Sequence, residues 1–172
     1  MKLEPLKRGA VALLALLFAV PLAQAQSTGA ARGIGAAIAE VLARDGASIV
    51  AVDMPAAGQA LAGVANRLRG TAVQADVTAA DTGARIVEHC HLRHGGLDIV
   101  VHNAGITRDK LLANTDEARW AAVLEVNLLS IIRMNASILA ADGPRQGGDL
   151  GLVSPTAGNA GNGGGQANGG SK

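Results

Sequence analysis

The stretch Thr28-Gly29-Ala30-Ala31-Arg32-Gly33-Ile34-Gly35 decides the fold, because it places three glycines where a strand is expected to turn into a helix. Glycine allows a tight backbone turn and lets a diphosphate approach the amide groups of a helix N-terminus. The spacing is TGxxxGxG rather than the GxGxxG of many dinucleotide-binding proteins. Taken alone, the turn indicates only a possible anion site.

The residues after this turn predict a helix that packs against a sheet. Ile34, Ile38, Val41 and Leu42 recur at helical spacing, and Gly46 can end the helix. We expect these apolar side chains to form the buried face.

Further along the chain, short apolar runs alternate with helical stretches. This alternation is typical of parallel strands joined by crossover helices. Strands are predicted at 47–53, 71–76, 97–101 and 150–154, and helices at 56–68, 81–94 and from Thr115 to Ala140. The pattern predicts an α/β doubly wound domain with a mostly parallel sheet.

Composition limits the classes of partner. At 172 residues the chain is long enough for one domain with a core of its own. Fifteen basic and fourteen acidic residues leave a net charge of +1, so there is no electrostatic case for nucleic acid or an anionic membrane. Cys90 is the single cysteine and cannot form an internal disulfide. Small-molecule partners are favoured.

The N-terminal segment 1–25 has the layout of an export signal. Basic residues precede an apolar run at 9–20, and Ala23-Gln24-Ala25 offers a small-x-small cleavage pattern. The run is too short to predict a transmembrane span. A buried strand or helix is the alternative interpretation. The body of the domain is then expected at 26–157.

A carboxylate follows the turn at the spacing that dinucleotide binding requires. Asp53 ends the next predicted strand, where it can accept hydrogen bonds from an adenosine ribose and would repel a 2′-phosphate. This favours NAD(H) as the cofactor. Arg32 in the glycine turn is the residue that could favour NADP(H).

Two further strand ends complete the pattern. Asp76-Val77 and His102-Asn103-Ala104-Gly105 follow predicted strands, at the sheet edge where open α/β sheets bind ligands. Together with TGxxxGxG and Asp53, these segments resemble the short-chain dehydrogenase/reductase family and imply a Rossmann-like fold. The cofactor-binding residues that the resemblance implies are Thr28, Gly29, Arg32, Gly33, Ile34, Gly35, Asp53, Asp76, Val77, Asn103, Ala104 and Gly105.

One branch of that family is the most similar. Residues 106–112, Trp120 and the segment 125–128 (EVNL) resemble the branch that reduces 3-oxoacyl thioesters carried by acyl carrier protein. The resemblance covers about residues 27–172. It implies an NAD(P)-dependent reductase of a small-molecule or carrier-protein-linked substrate, located in the cytoplasm. Relative to full-length members, we expect the domain to be incomplete at its C-terminal side, which makes the family's usual dimer or tetramer doubtful here.

The catalytic residues that the resemblance implies are Asn127, Ser154 and Lys172, with no metal. The family also uses a tyrosine as proton donor, but this chain contains none, and the corresponding position holds Asn168. An amide cannot donate a proton as a phenol does. Residues 158–172 are rich in glycine and predict a loop. We therefore expect turnover to be impaired or lost.

Two alternatives to an active enzyme stay open. The chain could be a non-catalytic dinucleotide-binding module, or a non-functional reductase fragment exported through the signal-like segment. Export conflicts with the cytoplasmic location that the family resemblance implies, so the two ends of the sequence predict different compartments.

The histidine-rich segment and the first predicted strand each lead to a separate prediction. The segment 89–94 contains three histidines and Cys90, which we interpret as a solvated helix face and not a metal site. The strand before Thr28 contains Gln24 and Gln26, and burying either one without a partner would cost about 1–3 kcal/mol.

Overall fold

The computed structural model describes residues 24–107, 116–141 and 148–153. The strands are β1 (Gln24–Thr28), β2 (Ser48–Asp53), β3 (Thr71–Gln74), β4 (Ile99–His102) and β5 (Asp149–Leu152). The α-helices are α1 (Gly33–Arg44), α2 (Gly58–Arg67), α3 (Thr82–His94), α4 (Glu117–Leu124) and α5 (Ser130–Ala140). A 3₁₀ turn at Pro55–Ala57 precedes α2, and a π-helical turn at Glu125–Leu129 joins α4 to α5.

The strands form one sheet in the order β3-β2-β1-β4-β5, and every neighbouring pair is parallel. The predicted α/β doubly wound fold is therefore confirmed. The chain adds β2 and β3 on one side of β1, and then returns to add β4 and β5 on the other side of β1. Such a reversal of strand order opens a crevice outside the carboxyl ends of the two strands that flank it, here β1 and β4.

Helices cover both faces of the sheet, because successive side chains of a strand point to opposite sides. Ile49 and Ala51 of β2 belong to a buried cluster with residues of α1 and α2. Val50 and Val52 belong to the opposite cluster, with residues of α3 and α5. These two layers hold the carboxyl ends of the strands in place.

The buried face of α1 differs in part from the prediction: Leu42 packs against the core and Ile38 is half-buried, but the other two predicted residues are exposed. Ile34 is 65% exposed and Val41 is 39% exposed, whereas the buried residues of the helix are Gly35, Ala36 and Ala39. Small side chains let the helix backbone lie close to the sheet, which the larger aliphatic residues would prevent. The helix ends at Arg44 and Gly46 has φ of 98°, so the predicted stop at this glycine is confirmed.

The predicted long helix is present in three parts. Its described N-cap is Asp116, whose side chain accepts a hydrogen bond from the amide of Arg119; Thr115, the predicted start, lies outside the described residues. The run Glu117–Ala140 is long and apolar enough to cross a membrane. Core helices of soluble proteins share this length and composition, so these two properties are weak evidence for a membrane span. Val123 and Ile138 are fully buried within the domain.

Strand β1 forms despite its glutamines. Gln26 is 0% exposed, and within the described part of the chain neither its amide nitrogen nor its amide oxygen has a hydrogen-bond partner. The expected cost of a buried and unpartnered glutamine thus applies at this position. The strand begins at Gln24, so cleavage after Ala25 would remove its first two residues. Residues 1–23 lie outside the described part of the chain.

The histidine-rich segment is not a solvated face throughout, which corrects the prediction. Cys90 is fully buried in the core, and burial raises the pKa of its thiol from 9.0 to about 12. His89 Nε2 and His94 Nε2 lie 2.8 and 2.7 Å from the hydroxyl of Thr71 at the start of β3. Both histidines are therefore only partly exposed and contact the start of β3.

Candidate functional site

A cavity of about 320 Å³ lies at the carboxyl ends of β1–β4. This is the sheet edge at which the strand order reverses. The cavity is lined by Gly29, Arg32, Asp53, Met54, Ala57, Ala75, Asp76, Val77, Asn103, Ala104, Gly105, Ile106 and Val126.

The glycine turn needs its glycines for two different reasons. Gly29 and Gly33 have φ of 64° and 58°, in the left-handed region that side chains with a Cβ rarely adopt. Gly35 is needed for space: a Cβ there would lie 2.3 Å from the carbonyl oxygen of Gly29 and 2.5 Å from Asn103 Nδ2. The third glycine therefore lets α1 pack directly on the end of β1.

The N-terminus of α1 has no acidic or capping side chain. Its N-cap is Arg32, whose side chain makes no capping hydrogen bond, and the first turn holds no acidic residue. The first amides of a helix lack intrahelical acceptors and carry a partial positive charge. This end of α1 is therefore suited to an anionic group.

Thr28 and Asn103 join the ends of β1 and β4. The Thr28 hydroxyl accepts hydrogen bonds from the amides of Asn103 and Ala104 at 2.9 and 3.0 Å, and donates to the carbonyl of Val101 at 3.3 Å. The Asn103 side chain donates in turn to the Thr28 carbonyl at 3.1 Å. These bonds hold the segment after β4 against the glycine turn.

Asp53 places a carboxylate at the edge of the cavity. Its Oδ2 accepts from the amide of Ala31 at 2.9 Å, and its Oδ1 accepts from the amide of Met54 at 2.8 Å. Each carboxylate oxygen can accept a further hydrogen bond. The side chain is thus fixed in orientation and still able to bind a ligand hydroxyl.

The segment after β3 is held by local hydrogen bonds. Asp76 Oδ1 accepts from the amide of Thr78 at 2.9 Å and from its hydroxyl at 2.7 Å. The hydroxyl of Thr82 at the start of α3 donates to the Asp76 carbonyl at 2.6 Å. Asp76 and Val77 therefore form a rigid wall of the cavity next to Asp53.

Asn127 lies in the π-helical turn and is buried. Its Oδ1 accepts from the amide of Ile106 at 2.9 Å, and its Nδ2 donates to the carbonyl of Ile106 at 2.9 Å. The side chain thus fixes the backbone of a residue that lines the cavity. Within the described residues, Asn127 supports the cavity wall from behind.

The structure brings most of the predicted cofactor residues together. The lining includes Gly29, Arg32, Asp53, Asp76, Val77, Asn103, Ala104 and Gly105, all of them predicted. Thr28, Gly33, Ile34 and Gly35 lie in or beside the glycine turn but not on the lining. The predicted catalytic residues Ser154 and Lys172 lie outside the described residues.

Sequence reasoning missed part of the lining. Met54 directly follows Asp53, so its place at a strand end could have indicated it. Ile106 and Val126 meet at the cavity from segments that are far apart in the chain. Both belong to the segments 106–112 and 125–128 that carry the family resemblance, but nothing in those segments predicted that their side chains would line the cavity.

The family model for short chain dehydrogenases matches residues 24–172 of this sequence. The chain belongs to the short chain dehydrogenase family. A solved short chain dehydrogenase from Mycobacterium smegmatis has the same fold: it superposes with a TM-score of 0.80 at 24% identity, over 90% of this chain and 67% of that one.

The curated relatives of this short chain dehydrogenase include reductases of two names. A 3-oxoacyl-[acyl-carrier-protein] reductase from Vibrio cholerae is 37% identical over 137 residues, 78% of this chain and 56% of the relative. The Escherichia coli reductase of the same name is 35% identical, over 82% of this chain and 57% of its own length. An acetoacetyl-CoA reductase from Allochromatium vinosum is 36% identical over 64% of this chain and 47% of the relative. The matched region is thus about half the length of these relatives, from 47% to 57%.

Proposed function

We propose that the cavity binds the adenosine and diphosphate portion of a nicotinamide dinucleotide. The observation that carries the proposal is the placement of the Asp53 carboxylate on the same cavity as the glycine turn that opens α1. A ribose diol can donate to the carboxylate, while a diphosphate is attracted by the helix amides. Asp76 and Val77, on the next strand end beyond Asp53, are then expected to contact the adenine.

NAD(H) is the favoured form of this cofactor. A phosphate on the 2′-hydroxyl would bring negative charge against Asp53, and like charges at close range repel. Arg32 is exposed and also lines the cavity, so it is the group that could partly offset this repulsion for NADP(H).

The parent reaction is proposed to be reduction of a 3-oxoacyl thioester to the 3-hydroxyacyl form. The support is the names of the curated relatives and the identity they share with this chain. A bound nicotinamide would supply the hydride. Asn127, Ser154 and Lys172 are the proposed remaining catalytic group, with Asn127 fixing the backbone of Ile106.

We further propose that this chain binds the cofactor without appreciable turnover. It contains no tyrosine, so the phenol expected to protonate the substrate oxygen is absent. Positioned general acids contribute about 10²- to 10⁴-fold to a rate. We therefore propose that the chain acts as a non-catalytic dinucleotide-binding module.

Cofactor binding is tested by fluorescence titration of the full chain with NADH and NADPH. We expect saturable NADH binding and a lower affinity for NADPH. Asp53→Asn should weaken NADH about tenfold, because a charge-assisted hydrogen bond is lost, and should narrow the difference from NADPH. Asp81→Asn, an exposed carboxylate on the loop before α3, is the matched control and should change neither affinity. Equal affinities in the Asp53→Asn variant and the unmodified chain would contradict the proposal.

Turnover is tested separately with an acetoacetyl thioester and NADH. The expected result is no oxidation of NADH above the rate without enzyme. A substrate-dependent rate comparable to that of a typical reductase, on the order of 10 per second, would show that another group replaces the phenol.

A further inference from the structure

Two segments that line the cavity are held by the same helical run. The segment after β4 is held by Asn127, whose amide bonds the backbone of Ile106. The segment after β3 is reached by Arg133 of α5, whose Nη2 donates to the carbonyl of Thr78 at 3.3 Å. Arg133 also forms an ion pair with Glu125, at the start of the π-helical turn.

The contact with Thr78 extends to the cavity lining. The amide and hydroxyl of Thr78 both donate to Asp76 Oδ1. Asp76 lines the cavity, whereas Arg133 is not among the lining residues. A displacement of Thr78 would therefore move the Asp76 carboxylate, although Arg133 itself does not face the ligand space.

The chemistry of arginine suits this arrangement. A guanidinium is planar and always charged, and Nη2 alone carries two hydrogens, enough to serve a carboxylate and a carbonyl at once. Because both Arg133 and Glu125 are 39% exposed, solvent screens the pair and its effect on overall stability should be small. The pair is better suited to setting the position of a loop than to stabilising the fold.

We propose that Arg133 is a positioning residue for the adenosine half of the site. By linking Thr78 to the π-helical turn, it sets the distance between the segment that carries Asp76 and the helix that carries Asn127. The inference rests on the proposed function, because it assigns the β3 side of the cavity to adenosine.

The test compares ADP-ribose binding, measured by calorimetry, in the full chain and in variants. Arg133→Met removes both polar contacts and keeps an unbranched chain about as long as the aliphatic part of arginine. We expect it to weaken ADP-ribose about three- to tenfold, the range for losing one or two partly exposed hydrogen bonds. Arg119→Met is the matched control, since Arg119 pairs with Asp116 on α4 with a similar exposure of 38%. The control should leave the affinity unchanged.

A double-mutant cycle distinguishes positioning from a general structural role. If Arg133 acts through Asp76, then Arg133→Met should have little further effect in an Asp76→Ala background, because the two residues are coupled. Additive losses would overturn the inference. So would an unchanged affinity in Arg133→Met when the unmodified chain binds ADP-ribose. Failure of the unmodified chain to bind either ADP-ribose or NADH would instead reject the proposed function.

Glu125→Gln provides a second route if Arg133→Met does not fold. It removes the ion pair that fixes Arg133 and leaves the aliphatic part of Arg133 in place. The expected loss of ADP-ribose affinity is about two- to threefold. An affinity equal to that of the unmodified chain would count against the inference.

Discussion

Strand β1 carries two buried polar side chains that differ in their surroundings. Gln26 and Thr28 are 0% and 1% exposed and lie on the same face of the strand, two residues apart. The Thr28 hydroxyl has three backbone partners at the carboxyl end of the strand, whereas the Gln26 amide, in the middle of the sheet, has none among the residues that the structure describes.

The two side chains differ in hydrogen bonding because one lies at the carboxyl edge of the sheet and the other lies in its middle. At the edge, strands end and leave backbone amides that a side chain must satisfy, so Thr28 stabilises the cavity wall. In the body of a parallel sheet, neighbouring strands already pair the backbone groups, so a buried amide side chain finds no partner there. We infer that the hydrogen bonds of Thr28 stabilise the cavity wall at the carboxyl edge, whereas the buried Gln26 amide in the centre of β1 lowers the free energy of unfolding.

The largest expected effect tests the packing at the edge. Gly35→Ala should lower the free energy of unfolding by about 3 kcal/mol, because its Cβ would overlap the Gly29 carbonyl. Gly33→Ala is the matched control: its Cβ would contact nothing within 4 Å, so only the strain of φ 58° remains, about 1 kcal/mol. Urea denaturation of both variants measures the difference. Equal losses would contradict the close approach of α1 to β1.

The next effect concerns the Thr28 hydroxyl. Thr28→Val keeps the shape of the side chain but leaves the amides of Asn103 and Ala104 without their acceptor, so we expect a loss of about 2 kcal/mol. Thr28→Ser keeps the hydroxyl and should lose less than about 1 kcal/mol. Chemical denaturation of the two variants checks this. If the valine variant were as stable as the serine variant, the Thr28 hydroxyl would not stabilise the fold, and its hydrogen bonds would not distinguish it from the Gln26 amide.

In the middle of the same strand, a substitution is expected to raise the free energy of unfolding instead of lowering it. Gln26→Leu should raise the free energy of unfolding by about 1.5 kcal/mol, because it removes a buried amide that has no partner. Gln59→Leu, at an exposed position of α2, should change stability by less than about 0.5 kcal/mol. A Gln26→Leu variant less stable than the unmodified chain would contradict the expected cost of the buried amide.

The smallest effect depends on pH and lies at the amino end of β3. The hydroxyl of Thr71 has more than one partner, as that of Thr28 does, but its two partners are the histidines His89 and His94. Burial lowers the pKa of His89 and of His94 from the ordinary 6.5; the charge of Arg93 lowers both further, and His94 also lowers that of His89.

Because both pKa values are lower in the folded protein, the unfolded chain binds more protons just below pH 6.5. The free energy of unfolding should therefore be largest above pH 6.5 and fall as the pH decreases toward the folded-state pKa values. Thermal melting of the unmodified chain and of a His89→Gln/His94→Gln variant, between pH 8 and 5, measures this effect. The same slope in both proteins would count against the contribution of the two histidines.

Much of the fold could be predicted because the determining signals are local. The alternation of apolar runs and helical stretches predicts the parallel sheet, and Gly46 predicts the end of α1. The buried face of α1 could not be predicted in this way. Hydrophobicity favours Ile34 over Ala36, but the depth at which a helix packs on a sheet depends on how small its contacting residues are.

For the site, sequence alone determined the residue types that meet at the sheet edge. The glycine turn and Asp53 stand next to strand ends in the chain, and parallel strands bring those ends to one edge. Only the tertiary structure decided that Gln26 has no partner in the described ranges 24–107, 116–141 and 148–153, and that Arg133 reaches Thr78, 55 residues away. The physical reason is range: a local pattern specifies where an element begins and ends, whereas hydrogen bonds between distant segments exist only after packing has set the distances.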